Sequence, residues 1–129
     1  KEYVRHKIIK PTFMCDYPSE MIALAKKHPH DPTKIASFQL VVCGTELLKA
    51  YNEVNDPQDQ SERWLSEVEL AKKGSEIASQ FDHDYIRALE YGMPPTAGWG
   101  MGIDRFTQFL TNQPTIKDVI LFPSMRKED

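Results

Sequence analysis

Gly98-Trp99-Gly100-Met101-Gly102-Ile103-Asp104-Arg105 alternates three glycines with apolar residues and closes on an acid–arginine pair. In a strand the glycines fall on one face and Trp99, Met101 and Ile103 on the other. Glycine weakens a strand unless something must come close to its backbone. One face is therefore expected to lie bare for a flat ligand while the other packs. Ile103, Phe106, Phe109 and Leu110 recur at helical spacing, which predicts a helix from about Gly102 with Arg105 on its first turn. A guanidinium beside a bare backbone face suits a nucleotide, because it stacks on a base and pairs with phosphate. The same glycines also suit a bulge, a tight turn or close packing. The spacing is not the dinucleotide fingerprint, and no Gly-Lys-Ser/Thr follows as in a P-loop.

Upstream, Met93-Pro94-Pro95-Thr96 brings the chain in extended from a helix expected over 82–91. There Asp82 caps, Ile86 and Leu89 pack and Gly92 ends the helix. Residues 61–73 predict another helix with Trp64, Val68 and Ala71 as its apolar stripe. Its Glu62, Glu67 and Glu69 face water and Gly74 stops it. Residues 38–43 predict a strand, Gly44-Thr45 a hairpin turn, and 46–54 a second strand running back. In that second strand Glu46, Leu48, Ala50, Asn52 and Val54 share one face, and Leu47, Lys49, Tyr51 and Glu53 the other. Glu46 and Glu53 thus point nominally apart, unless a bulge intervenes. Each is equally readable as a solvated edge charge.

Residues 1–9 read as the tail of an amphipathic helix ended by Pro11, 12–16 as a short strand, and 19–27 as one or two helical turns. Residues 28–32 read as a loop, in which Pro29 breaks any metal-pair spacing of His28 and His30. Residues 119–123 are a short apolar segment, and 126–129 a charged tail. The sum is an α+β domain, an antiparallel sheet flanked by helices on one side. Core candidates are Phe13, Phe38, Leu40, Val42, Leu48, Trp64, Ile86, Leu89, Ile103, Phe106 and Leu110.

The whole chain sets bounds on this reading. At 129 residues it is the size of one domain. Its 16 basic and 19 acidic residues include no cluster of the nucleic-acid-binding kind. Cys15 and Cys43 have no metal-ligand spacing and are too few for a disulfide framework, which fits a reduced, cytoplasmic setting. No apolar run approaches the ~20 residues of a membrane span. No signal peptide is visible, and Lys1 in place of methionine is expected of a processed product or a piece of a longer chain.

With these segments in order, the chain resembles the C-terminal part of a class II lysyl-tRNA synthetase catalytic domain over essentially all of 1–129. The run from Pro95 to Arg105 is similar to the third signature motif of that class, with its core at 98–105. The stretch from Glu46 to Pro57 resembles the strand carrying the amino-acid pocket. Thr12-Phe13 through Tyr17-Pro18, and Ile120-Leu121-Phe122-Pro123, match in order and spacing. The resemblance implies a partial class II fold without motifs 1 and 2 or the anticodon-binding domain.

The same resemblance implies ATP and Mg²⁺, with lysine and tRNA(Lys) as substrates, and a homodimer for the full-length enzyme. Arg105 would lie against adenine and reach the γ-phosphate, and Gly102 would let the nucleotide approach. Gly100 would border the lysine pocket, Glu53 would accept the ε-ammonium and Tyr51 would wall the stem. Glu46 would hold Mg²⁺ on the phosphates, making Arg105 and Glu46 the catalytic residues. Because the family uses Glu46 and Glu53 in one cleft, an irregularity near Leu48-Lys49 is expected. Gln39 stands at the second metal position, where a glutamate is usual. Lys49 stands at a lysine-pocket position, where an asparagine is usual, and would repel the substrate α-ammonium. Ile22-Ala23 replaces the usual Ser-Pro. These departures leave open a lineage variant, weakened catalysis, a ligase that puts lysine on a protein, or a non-catalytic nucleotide- or lysine-binding paralogue.

Overall fold

The computed structural model describes residues 3–72 and 81–124. In chain order they form β1 (Thr12–Cys15), β2 (Lys27–His28), β3 (Asp31–Ile35), β4 (Ser37–Val42) and β5 (Thr45–Asn52). Then come α1 (Pro57–Lys72), α2 (His83–Glu90), β6 (Ala97–Met101) and α3 (Ile103–Leu110). Short 3₁₀ turns lie at Arg5–Lys7, Ser19–Met21 and Ile116–Val119. The larger sheet has the order β1-β4-β5-β6, and β2 pairs antiparallel with β3. The expected α+β class is what the described residues adopt. The chain divides into two compact units, one within Lys1–Met14, Gln39–Lys49 and Gly100–Asp129, the other within Cys15–Phe38 and Ala50–Trp99.

In the first unit the hairpin turns on Cys43 (φ 47°) and Gly44 (φ 73°). Two successive positive φ values match the right-handed twist of the strands they join. The tip donates to the N-terminal segment, Cys43 N–H to the Ile9 carbonyl (3.1 Å) and Gly44 N–H to that of Ile8 (2.8 Å). Of the amphipathic helix expected over 1–9, the described residues form only the Arg5–Lys7 turn, with Val4 and Ile9 exposed. α3 starts where expected, at an N-cap on Gly102 whose N–H donates to the Leu47 carbonyl (3.1 Å). Val41, Val42 and Leu47 are the buried apolar residues of this unit.

In the second unit α1 begins at Pro57, four residues earlier than expected. Asp56 Oδ1 accepts from Gln58 N–H (2.9 Å), and proline at the first helical position has no N–H left to satisfy. Trp64 is buried, its ring set edgewise to Tyr85 at 5.2 Å and to Phe81 at 5.7 Å. Arg63 forks onto both oxygens of Asp59 (2.9 and 2.8 Å) and reaches the Ala25 carbonyl (2.6 Å). Its first hydrogen bond holds the Asp59 carboxyl below the usual range. Glu67 departs from the solvent-facing reading, because its Oε2 is buried without a partner. Gly74, the expected stop, and the 126–129 tail lie outside the described residues.

α2 is capped as expected, Asp82 Oδ1 accepting from Tyr85 N–H at 3.0 Å, and Gly92 closes it at φ 100°. Asp82→Ala is expected to lower stability by about 1 kcal/mol, read as a shifted denaturation midpoint. Residues 28–32 are a hairpin tip rather than a loop. His28 Nδ1 accepts from His30 N–H, and Asp31 ties down Thr33 and Lys34 beyond it. Residues 19–27 hold only the Ser19–Met21 turn before β2.

Several expected core residues are exposed, namely Phe13 (63 %), Ile103 (63 %), Leu110 (65 %) and Phe38 (37 %). Trp99, expected to pack, is 67 % exposed. β1 and β6 are the edge strands of their sheet, so Phe13 and Trp99 each lack a strand neighbour on one side. Val42, Trp64 and Leu89 are buried as expected, whereas Ala25, Ile35, Ala50 and Val54 join the core without having been singled out, with Gln60 fully buried and donating to the Ala23 carbonyl (3.4 Å).

Candidate active site

The groups singled out in the sequence fall into two sets, one in each unit. In the second unit Glu53 follows directly on β5. Its N–H donates to the Thr96 carbonyl (2.9 Å), and it forms an antiparallel bridge with Ala25. The backbone is thus held from both flanks while the side chain is half-buried. Burial raises its carboxyl above the ordinary value. Among the described residues it makes no ion pair.

Gly98 faces this carboxylate so closely that a Cβ at position 98 would collide with Glu53 Oε1. The phenols of Tyr51 and Tyr85 are both raised, first by burial and next by the negative charge of Glu53. Glu53 and Asn52 also line a hollow of about 420 Å³ with Lys26, Lys27, Pro29, Pro95, Thr96 and Ala97. A part-desolvated carboxylate without a cation is an acceptor prepared for a cationic donor.

Tyr85 was not anticipated as part of this set. Its signal in the sequence is slight, since it lies four residues before Leu89 and shares that residue's inward face of α2. Gly98 was read as part of a bare ridge, and its bareness serves Glu53.

In the first unit Arg105 sits on the first turn of α3, and its Nη1 donates to the Glu46 carbonyl (3.0 Å). Its aliphatic stem covers Gly102, where a Cβ would stand 3.4–3.6 Å from Arg105 Cβ, Cγ and Cδ. A Cβ at position 102 would be in ordinary van der Waals contact with that stem. Gly100 has open space over it, with nothing within 4 Å of a Cβ. Arg105 makes no ion pair among the described residues. It also lines a hollow of about 350 Å³ with Thr45, Leu47, Gln108, Asn112 and Gln113 among others.

The Glu46 carboxylate is bonded to Arg5 Nη2 at 2.8 Å, a partner nothing in the sequence pointed to. Gln39 is buried on β4 and Lys49 half-buried on β5. Among the described residues no three His, Cys, Asp or Glu gather into a metal cage. Mg²⁺ that arrives on substrate phosphates needs only one or two carboxylates. Of the two residues expected to hold it, Glu46 offers a carboxylate, now engaged by Arg5, and Gln39 a buried neutral amide.

The family model for tRNA synthetases class II (D, K and N) matches residues 2–126. The lysine–tRNA ligase of Thermosipho melanesiensis is 50 % identical over 125 residues, which is 97 % of this chain and 25 % of that protein. That of Carboxydothermus hydrogenoformans is 50 % identical over 129 residues, 100 % of this chain and 26 % of the relative. That of Pseudomonas putida strain W619 is 48 % identical over 128 residues, 99 % of this chain and 26 % of the relative. The chain spans about a quarter of the length of these curated relatives.

Proposed function

The chain belongs to the class II tRNA synthetases (D, K and N), and we propose that it is the C-terminal part of the catalytic domain of a lysine–tRNA ligase. The observation carrying the choice of lysine is the Glu53 carboxylate, part-buried and without an ion pair among the described residues, with Tyr51 and Tyr85 in its field. An amine-tipped substrate supplies the missing charge, and aromatic walls suit its aliphatic stem.

In the full-length enzyme the lysine carboxylate attacks the α-phosphorus of ATP in line. The α–β phosphoanhydride bond breaks, pyrophosphate leaves and lysyl-adenylate forms. The terminal tRNA(Lys) hydroxyl then takes the lysyl group, releasing AMP. No side-chain nucleophile is required, so positioning and charge stabilisation carry the chemistry. Arg105 holds the nucleotide at its base and terminal phosphate, with Gly102 letting the nucleotide approach the backbone. Glu46 and Gln39 would hold Mg²⁺, which would supply charge neutralisation on the phosphates, with the Glu46 carboxylate freed from Arg5.

The irregularity expected near Leu48-Lys49 falls within β5, which runs as one strand over Thr45–Asn52. No described helix is long and apolar enough to cross a membrane. Cytoplasmic location and a homodimeric full-length enzyme complete the proposal.

Lysine-dependent ATP–pyrophosphate exchange on the isolated chain and at full length tests it. Exchange is expected at full length, followed by charging of tRNA. For the isolated chain, missing even one transition-state donor lowers the rate by about 10²–10³. The Arg5–Glu46 pair favours a second reading, a module that binds without catalysing. Exchange in neither form would establish that reading, and lysine appearing on a protein instead of tRNA would establish a protein ligase.

A further inference from the structure

We propose that position 98 determines amine specificity, because the absence of a side chain there lets the Glu53 carboxylate stand where it meets an ammonium group. The inference rests on reading Glu53 as the ammonium acceptor and goes beyond it by naming what aims that acceptor. The Glu53 backbone is pinned by Thr96 and Ala25, so only the side-chain torsions remain to be set. No charged partner sets them among the described residues. Gly98 does so by leaving a slot, since a Cβ there would overlap Oε1, with the carboxyl carbon 3.5 Å away.

Gly98 is not among the glycines with positive φ, so its backbone accepts alanine without strain. The atom in the way is the free end of a flexible side chain. Alanine is therefore accommodated by swinging the carboxylate aside, with little loss of stability. Fold and function separate at this residue, which makes the substitution informative.

The test measures lysine and norleucine affinity, ATP affinity and thermal midpoint in the full-length protein and its Gly98→Ala variant. Norleucine keeps the stem of lysine and lacks the ammonium. Gly98→Ala is expected to weaken lysine about 10-fold or more, a step of about 1.4 kcal/mol. Norleucine, ATP and the midpoint are expected to stay near their original values. Glu53→Asp withdraws the carboxylate by one methylene, so adding it to Gly98→Ala costs less than the product of the two single penalties.

Equal losses for lysine and norleucine, independent penalties in the double variant, or a chain that no longer folds would each overturn the proposal. Glu53→Gln separates the two levels of inference. If it leaves lysine affinity unchanged, the acceptor reading fails. If it abolishes lysine binding while Gly98→Ala binds normally, only the role of position 98 falls.

Discussion

Glu53→Gln in the full-length protein is expected to weaken lysine binding about 10²-fold, since hydrogen bonds to charged groups contribute roughly 1.5–3 kcal/mol. ATP affinity is expected to stay within about twofold, as for a substitution that touches none of the nucleotide contacts. Glutamine preserves the shape beside Gly98 and removes only the charge, so the loss reports the ammonium partner. The pH dependence follows from the same burial. The Glu53 carboxyl titrates above its ordinary value, and only the ionised form pairs with an ammonium.

Lysine binding therefore falls with decreasing pH earlier than for an ordinary carboxylate, and Glu53→Gln removes that step. Without ligand the sign reverses. A carboxyl raised in the folded state binds protons more tightly there than in the unfolded chain. Its contribution to stability is then greatest at low pH and declines as pH rises through the folded value. Calorimetric titration with lysine and with ATP across this range measures both effects. Equal losses for the two ligands would remove Glu53 from the amine site.

The candidate site was legible wherever one residue type answers one chemical demand. Glu53, Tyr51 and Arg105 announced themselves through charge, aromaticity and position in the glycine run, as did the strand-to-helix junction at Gly102. What the sequence left dark were partners supplied by tertiary approach. Arg5 meets Glu46 across 41 residues of chain, and Tyr85 on α2 comes under the charge of Glu53 at the end of β5. No periodicity encodes such pairs. The glycines show the limit well, for their alternation marked a bare ridge but not its neighbours. Gly98 faces a carboxylate, Gly102 an arginine stem and Gly100 open space.

The core was misjudged for a related reason. Apolar spacing identifies the face of an element that prefers burial, whereas burial also requires a neighbour on that face. Phe13 on β1 and Trp99 on β6 lie on edge strands, and Ile103 and Leu110 on α3 are exposed too. Conversely, Ala25, Ile35 and Gln60 are fully buried without standing out in any amphipathic pattern. The β2–β3 hairpin was hidden by Pro29 and Pro32, which as local punctuation read as loop.

Arg105→Ala is expected to produce the opposite phenotype to Glu53→Gln. ATP affinity and adenylate formation fall by about 10²–10³, the usual cost of removing one preorganised charge-stabilising group, while lysine affinity is retained. The geometry shows why this guanidinium is preorganised. Its stem lies over the bare Gly102 and one N–H is committed to the Glu46 carbonyl at 3.0 Å. The remaining donors are thereby fixed in direction without being neutralised, and none meets a carboxylate among the described residues. A side chain tethered in this way loses little further rotamer freedom on meeting a phosphate.

Arg105→Lys is expected to recover little of the lost activity, because an ammonium cannot hold the carbonyl and present a planar fork at the same time. Gly102→Ala meets that stem at an ordinary contact distance of 3.4–3.6 Å, so it is expected to leave Arg105 in place, and a loss of ATP affinity would report the nucleotide's own approach to position 102. Nucleotide titration and single-turnover adenylate formation would show the pattern. If ATP affinity survives Arg105→Ala unchanged, the guanidinium serves to tie α3 to β5 through the Glu46 carbonyl rather than to hold the nucleotide, and the ATP half of the proposal fails while the lysine half stands.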